Sequence, residues 1–189
     1  MENVELKAGD VLLIVDVQQD FLPPKGALKV PGGDEIIPIL NSWIGRFSKL
    51  GLPIVASRDW HPEDHCSFVE NGGSWPRHCV QGSPGAEFPD DLQLPTSTII
   101  VSKGTTKEKD AYSAFEGTDL ADRLRQLGTK RLFVGGVATD YCVKATVLDA
   151  LSNGFDVVVI KDAIRGVDIA PDDSIAALNE MERQGATIL

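Results

Sequence analysis

Buried-strand and amphipathic-helix patterns alternate along this chain. The first apolar run, VLLIVDV from Val11 to Val17, is rich in β-branched residues and broken only by Asp16 near its C-terminal end. A strand covered on both faces reads this way. From Gly33 to Leu50 the residues Ile36, Leu40, Trp43, Ile44, Phe47 and Leu50 recur at helical spacing, and Gly51 and Pro53 supply stop signals. PIVASRD (Pro53 to Asp59), TIIVSK (Thr98 to Lys103), RLFVGGVA (Arg131 to Ala138) and FDVVVIKDA (Phe155 to Ala163) read as further buried strands, with a short TIL at the terminus. Between them run three helical stripes: Leu120, Leu124 and Leu127 closed by Gly128; Val143, Val147 and Leu151 closed by Gly154; Ile175, Leu178 and Met181 running to Gly185. Strands alternating with helices predict one domain over residues 1–189, an α/β fold built as a three-layer α/β/α sandwich with a mostly parallel, Rossmann-like central sheet. Ligands bind such sheets at the C-terminal ends of the strands.

One stretch breaks the pattern. Residues 60–97 contain no convincing periodic element, and Pro62, Pro76, Pro84, Pro89 and Pro95 all fall there. Loops this long inside a compact domain are usually functional. All three histidines of the chain, His61, His65 and His78, lie in this loop, and Asp59 stands at the strand end that leads into it. Three imidazoles and a carboxylate form a donor set suited to one divalent ion, Zn, Fe or Mn, among which spacing does not choose. The plainer alternative is that histidines simply occur in loops.

Charge removes one class of function. With 28 acidic against 18 basic residues the formal charge is -10, which would repel a nucleic-acid backbone. The early apolar run VLLIV sits behind a mixed, acid-containing leader, so it is expected to be neither a signal peptide nor a membrane span, and the chain is expected to be cytoplasmic. Cys66, Cys79 and Cys142 are odd in number, widely spaced and without a CxxC, which argues against a disulfide scaffold and permits one reactive thiol.

That thiol is best sought at Cys142. GGVATDYCV (Gly135 to Val143) passes from a buried strand through a tight turn into a helix, and puts Cys142 at the ligand-binding edge. Unpaired N–H groups and the helix dipole there favour anionic sulfur and could hold an acyl-transfer oxyanion. A free cysteine is otherwise a small buried hydrophobe. The histidines are better explained as metal ligands, so the thiol needs another base. Asp16 is the candidate, since a carboxylate on so apolar a run needs a partner or a raised pKa. Lys103, ending TIIVSK, is the natural cation. Taken singly, Asp16 also fits a strand-end cap and Lys103 a solvated surface amine.

Across nearly the whole chain these segments, in this order, resemble the isochorismatase-like cysteine hydrolases, and among them the nicotinamidases. The resemblance is carried by VDVQQDF (Val15 to Phe21), SRDWHPEDH (Ser57 to His65), SWPRHCVQGSPGAEF (Ser74 to Phe88), VSKGT (Val101 to Thr105), AYSAFEG (Ala111 to Gly117) and GGVATDYCVKAT (Gly135 to Thr146). It implies a catalytic triad of Asp16, Lys103 and Cys142, with metal ligands Asp59, His61, His65 and His78. It also implies an oxyanion hole from the Ala138 and Cys142 amides, a cis Val137–Ala138 peptide, and Phe21 and Trp75 flanking a substrate ring, with Tyr112 in a pocket segment. Gln19, Ser83 and Ala114 depart from common family choices without touching the chemistry.

The expected activity is hydrolysis of nicotinamide, and of pyrazinamide, through a cysteine thioester. Relatives acting on isochorismate or on carbamoyl or ureido substrates generally lack the full metal set, yet such a hydrolase remains the alternative, followed by a catalytically silent member that binds metal or a partner. The expected partner is the small-molecule substrate, without nucleic acid or membrane, and a homo-oligomer is compatible with the reading.

Overall fold

A computed structural model describes residues 4–189. Six strands, β1 (Asp10–Val15), β2 (Ile54–Asp59), β3 (Ile99–Lys103), β4 (Arg131–Val137), β5 (Asp156–Arg165) and β6 (Thr187–Ile188), form one sheet in the order β3-β2-β1-β4-β5-β6. Every neighbouring pair is parallel. Successive side chains of a strand face opposite ways, so β1 feeds two cores: Leu12 and Ile14 pack on one side, Val11, Leu13 and Val15 on the other. Helix α1 (Ile37–Lys49) covers the first face with Leu40, Trp43, Ile44 and Phe47. The second face is covered by α2 (Leu120–Gln126), α3 (Lys144–Ser152) and α4 (Asp173–Arg183), through Leu120 and Leu124, Val147 and Ala150, and Met181. Three layers and a parallel sheet therefore follow the hydrophobic pattern.

The differences from that pattern are local and have physical causes. β1 stops at Val15, two residues early, because Asp16 turns into the left-handed region at φ 51 and the Gln18 N–H bonds back to its carbonyl at 2.8 Å. The Gly33–Ile36 stretch is a tight 3-10 turn, and α1 begins at Ile37 with Pro38 in its first turn, where a missing N–H costs nothing. Leu50, on the apolar stripe, lies just past the last turn of α1 and is 57% exposed. Ile175 and Leu127 are likewise exposed at helix ends. Gly136 has φ 128, and a Cβ there would stand 2.0 Å from the Val15 carbonyl oxygen, so β1 and β4 can approach only through a glycine.

Residues 60–97 stay irregular, as their lack of period predicts. Two isolated bridges, His61 with Val80 and Phe68 with Trp75, and short 3-10 turns at Val69–Asn71 and Pro84–Ala86 organise them. Among the described residues no helix is long and apolar enough to cross a membrane.

The first core holds an aromatic trio: Phe133 of β4 is fully buried, with the Trp43 and Phe47 rings each 5.5 Å from its own. Phe133→Ala should cost about 3–5 kcal/mol of stability with an unchanged denaturant slope. Urea unfolding checks this, and a loss below about 1 kcal/mol would mean that the trio does not hold α1 to the sheet.

Candidate active site

The chain leaves β1 for β2 on one side and reaches β4 on the other, so the carboxyl ends of β1 and β4 flank the point where strand order reverses. Parallel sheets open a crevice there. Asp16 follows β1 directly, Asp59 and Lys103 are the last residues of β2 and β3, and their Cα atoms are partners in the ladder. After β4 the chain makes a π-helical turn, Thr139–Val143, that carries Cys142 ahead of α3. The Val137–Ala138 peptide is cis, as the resemblance implies.

The Lys103 side chain is fully shielded from solvent and reaches four acceptors. Its Nζ donates to Asp59 Oδ1 at 2.5 Å, to the Ala111 carbonyl at 3.0 Å and to Cys142 Sγ at 3.5 Å. It stands 2.9 Å from Asp16 Oδ2 as an ion pair, without the alignment of a hydrogen bond. Asp16 Oδ1 accepts from Ser57 Oγ at 2.7 Å, which leaves Oδ2 able to take a proton. Carboxyl oxygens of Asp16 and Asp59 and the Cys142 sulfur all lie within 4.8 Å of one another. Burial raises the Asp16 pKa, against the pull of Lys103. Burial also opposes charge on Lys103, but its two carboxylates outweigh that and lift its pKa well above the usual lysine value. The Cys142 thiol is pushed far up by burial, only partly offset by Lys103. In the metal-free site burial thus favours the neutral thiol more strongly than the ammonium favours the thiolate.

Asp59 also faces the other way. Its Oδ2 is 3.6 Å from His61 Nε2 and 3.9 Å from His78 Nε2. Each of these imidazoles gives its other nitrogen to a backbone carbonyl, His61 Nδ1 to Gly104 at 2.9 Å and His78 Nδ1 to Pro76 at 2.7 Å. With Nδ1 engaged on these carbonyls, both Nε2 atoms stand on the side of the Asp59 carboxylate, where they could ligate a metal. Donor atoms of Asp59, His61 and His78 lie within 4.8 Å of one another. His65 joins this group through His61, on which it stacks at 4.0 Å, and with Asp110 rather than with Asp59 and His78. Its Nε2 is 3.2 Å from the Lys109 carbonyl. Burial opposes charge on His61, yet its contact with Asp59 wins and raises its pKa, while burial lowers those of His65 and His78. Desolvation opposes ionisation of Asp59 too, but Lys103 and the histidines hold its carboxyl far below the usual carboxylate range. Gly104 is required at φ 58, since a Cβ would come within 2.6 Å of the His61 ring.

Both halves open on one pocket. Cys142, Asp59, His61 and His78 line it together with Phe21, Trp75, Tyr112 and Ala138. Trp75 Nε1 donates to the Tyr112 hydroxyl at 3.0 Å, and both rings stand against Tyr141, 5.1 and 5.6 Å away. Of the residues singled out from the sequence, Phe21, Asp59, His61, Trp75, His78, Tyr112, Ala138 and Cys142 line this pocket, Asp16 and Lys103 lie behind Cys142, and His65 stacks on His61 without lining it. Sequence reasoning missed Tyr141, Val167 and Asp110 in its walls. It also missed Gln18, fully buried, whose Nε2 donates to the Asp59 and Ala86 carbonyls at 2.8 Å each and whose Oε1 accepts the Asp59 N–H at 2.7 Å. The adjoining pair Gln18-Gln19 at the end of a buried run was the only available signal.

The chain is similar to known proteins along nearly its whole length. A family model described as the isochorismatase domain matches residues 10–189. The nicotinamidase of Escherichia coli (strain K12) is 42% identical over 198 residues, covering 94% of this chain and 92% of its own. The crystal structure of the pyrazinamidase of Pyrococcus horikoshii in complex with zinc superposes with a TM-score of 0.92 at 54% identity, covering 96% of this chain and 98% of that one. A protein from L. infantum, solved in complex with nicotinate, superposes with a TM-score of 0.89 at 41% identity over 98% of this chain and 95% of its own. A family match over this span, with relatives this similar along nearly their whole length, places the chain in the isochorismatase family.

Proposed function

We propose that this chain is an amidohydrolase that converts nicotinamide to nicotinate and ammonia through a thioester on Cys142, and hydrolyses pyrazinamide in the same way. The observation that carries the reading is one pocket in which Cys142, backed by Asp16 and Lys103, faces the donor set of Asp59, His61 and His78. Similarity to the E. coli nicotinamidase, to the zinc-bound pyrazinamidase and to the nicotinate-bound relative supports it.

Cys142, Asp16 and Lys103 are the catalytic residues of this reading. Asp16 takes the thiol proton, and the thiolate attacks the carboxamide carbon. The Ala138 and Cys142 amide N–H groups hold the tetrahedral oxyanion. Ammonia leaves with the proton from Asp16, and the C–N bond is exchanged for a thioester. Water then attacks the thioester carbon as Asp16 takes one of its protons, the C–S bond breaks, and that proton passes to Sγ as nicotinic acid departs and ionises to nicotinate. With ordinary pKa values the first transfer is uphill by roughly 6 kcal/mol. Burial narrows the gap from one side by raising Asp16 and widens it from the other by raising Cys142, so the transfer must be driven by attack on a bound substrate. Asp59, His61 and His78, with His65 beside them, would hold one divalent ion of Zn, Fe or Mn character, which when bound supplies a Lewis acid able to anchor a ring nitrogen. Phe21, Trp75 and Tyr112 would flank the ring and present its carbonyl to the sulfur.

The pocket walls disfavour the isochorismate alternative: they contain Asp59 and Asp110 but, among the described residues, neither arginine nor lysine. A substrate with two carboxylates would find neither arginine nor lysine in the lining to pair with. A single hydrolase domain with its metal-binding loop at residues 60–97 accounts for the whole site. Three unpaired cysteines suit a reducing, cytoplasmic setting, and the charge of -10 fits a small-molecule partner rather than a nucleic acid.

Ammonia release from nicotinamide by purified, metal-loaded protein tests the assignment. Turnover should fall by about 10⁴-fold or more in Cys142→Ala with the fold retained, and wild-type activity in that variant would end the thioester mechanism. Substrate choice tests the donor set: pyrazinamide should be hydrolysed, whereas benzamide, with no ring nitrogen to anchor, should lose about 100-fold or more in kcat/KM. Equal kcat/KM for benzamide and nicotinamide would remove the donor set from substrate positioning. Thiol titration tests the electrostatics. Because burial holds the thiol protonated, carbamidomethylation of Cys142 in metal-free protein should keep accelerating above pH 9. Mass spectrometry of the Cys142 peptide reads this, and a rate already level at neutral pH would mean a resident thiolate.

A further inference from the structure

We propose that Asp140 is a positioning residue that suspends the segment after β5 from the turn carrying the nucleophile, and so sets the Val167 wall of the pocket relative to Cys142. Only its substrate readout rests on the amidase reading.

Asp140 stands two residues before Cys142 in the π-helical turn and is 8% exposed. Its carboxylate is spent on the backbone of a distant segment: Oδ1 accepts the Val167 N–H at 2.9 Å and Oδ2 the Asp168 N–H at 2.8 Å. Hydrogen bonds from two adjacent amides to one ionised carboxylate are short and directional, and fix a chain segment more tightly than apolar contact does. The Ser174 hydroxyl and the Asp140 carboxylate both crowd Gly166. A Cβ at Gly166 would stand 1.9 Å from Ser174 Oγ and 3.0 Å from Asp140 Oδ1.

The far end of the segment is tied by a second carboxylate. Asp168, itself at φ 52, accepts the Ser174 N–H at 2.7 Å and the Ser174 hydroxyl at 2.9 Å in the first turn of α4. Between these ties the segment has little burial of its own, since Asp168, Ile169 and Ala170 are exposed and Ile169 is 67% so. Half-buried Val167 is its one residue that both packs on the core and lines the pocket with Cys142. Asp140 does not itself line the pocket, and the tie its carboxylate makes reaches the substrate by way of Val167. Displacing that wall would change how tightly the ring is held and leave the Cys142, Asp16 and Lys103 contacts in place.

The test uses Asp140→Asn, which keeps the shape but turns one accepting oxygen into an NH₂ that opposes a backbone N–H. Hydrogen exchange at Val167 and Asp168 should accelerate about tenfold or more. KM for nicotinamide should rise about tenfold, while kcat changes by less than about threefold. Val167→Ala should raise KM similarly, and the double variant should be little worse than either single change, because both act through one wall. Unchanged exchange in Asp140→Asn, a loss confined to kcat, or KM effects that multiply in full would overturn the proposal. Should Asp140→Asn fail to fold, an unchanged KM in Val167→Ala would overturn it alone. A wild-type protein inert toward nicotinamide would sink the amidase reading, and the exchange measurement would still decide the role of Asp140.

Discussion

A lysine ammonium buried among two carboxylates and a thiol is the constraint around which this site is built. Taking one charge out of water costs several kcal/mol, and the cost is recovered only when partners meet it at close range. Lys103 meets that condition through Asp59, Asp16 and the Ala111 carbonyl. The requirement reaches back into the fold. Asp59 and Lys103 must end neighbouring strands in register, and Asp16 must leave β1 in a left-handed turn so that its carboxylate comes back over the sheet end. A residue held in that region without being glycine is a local cost that the surrounding contacts must over-determine. The hydrogen bonds of Ser57 to the Asp16 side chain and of Gln18 back to its carbonyl do so.

Asp59 makes the thiol side and the imidazole side of the pocket one object. One of its oxygens is bound by Lys103, the other faces His61 and His78, and its backbone N–H and C=O are both taken by Gln18. Moving any of these groups moves the rest. A substrate held between the two halves is thus held against a frame whose parts cannot drift separately, the condition for catalysis by positioning. The second frame lies outside it: Asp20 accepts the Cys79 N–H at 2.8 Å and so fixes the backbone next to His78, with Cys79 itself at φ 47. The irregular loop is ordered by such single ties to the sheet ends, not by a period of its own.

The strands and helices were legible because parallel strands buried on both faces read as near-continuous β-branched runs, and helix ends carry glycine. The chemistry at the strand ends was legible for a related reason: Asp16, Asp59, Lys103 and Cys142 are polar or reactive groups where apolar runs stop. Lys103 alone read equally well as a surface amine, because its burial depends on two carboxylates that the chain brings from 44 and 87 positions away. Gln18 and Asp140 were illegible for the same cause in stronger form. Each works on backbone groups from a distant segment, and a backbone donor has no letter in the sequence. His65 shows the converse. Its spacing groups it with His61 and His78, whereas its stacking on His61 and its hydrogen bonds to Ser67 and the Lys109 carbonyl come from groups that spacing does not announce.

Lys103 favours both the ionised base and the ionised nucleophile, and the geometry turns this into an advantage. Without a metal, and with Asp16 and Asp59 ionised and Lys103 charged, the buried cluster carries one net negative charge, and a standing thiolate would add a second at a sulfur that burial leaves little solvated. The thiol therefore remains neutral until its proton can go to Asp16. That transfer leaves the net charge unchanged and only relocates it, from Oδ2, 2.9 Å from Nζ, to Sγ, 3.5 Å from Nζ. The ammonium pays attention to both ends nearly equally, so it does little to choose the direction of transfer while keeping its midpoint from being an isolated buried charge. In the proposed reaction the negative charge next passes to the substrate oxygen, for which the Ala138 and Cys142 amides are the proposed donors, both residues lining the pocket. What pulls the proton off sulfur is then the bond that sulfur forms with the carbonyl carbon, which ties activation of the nucleophile to the presence of a substrate and leaves the resting thiol protected.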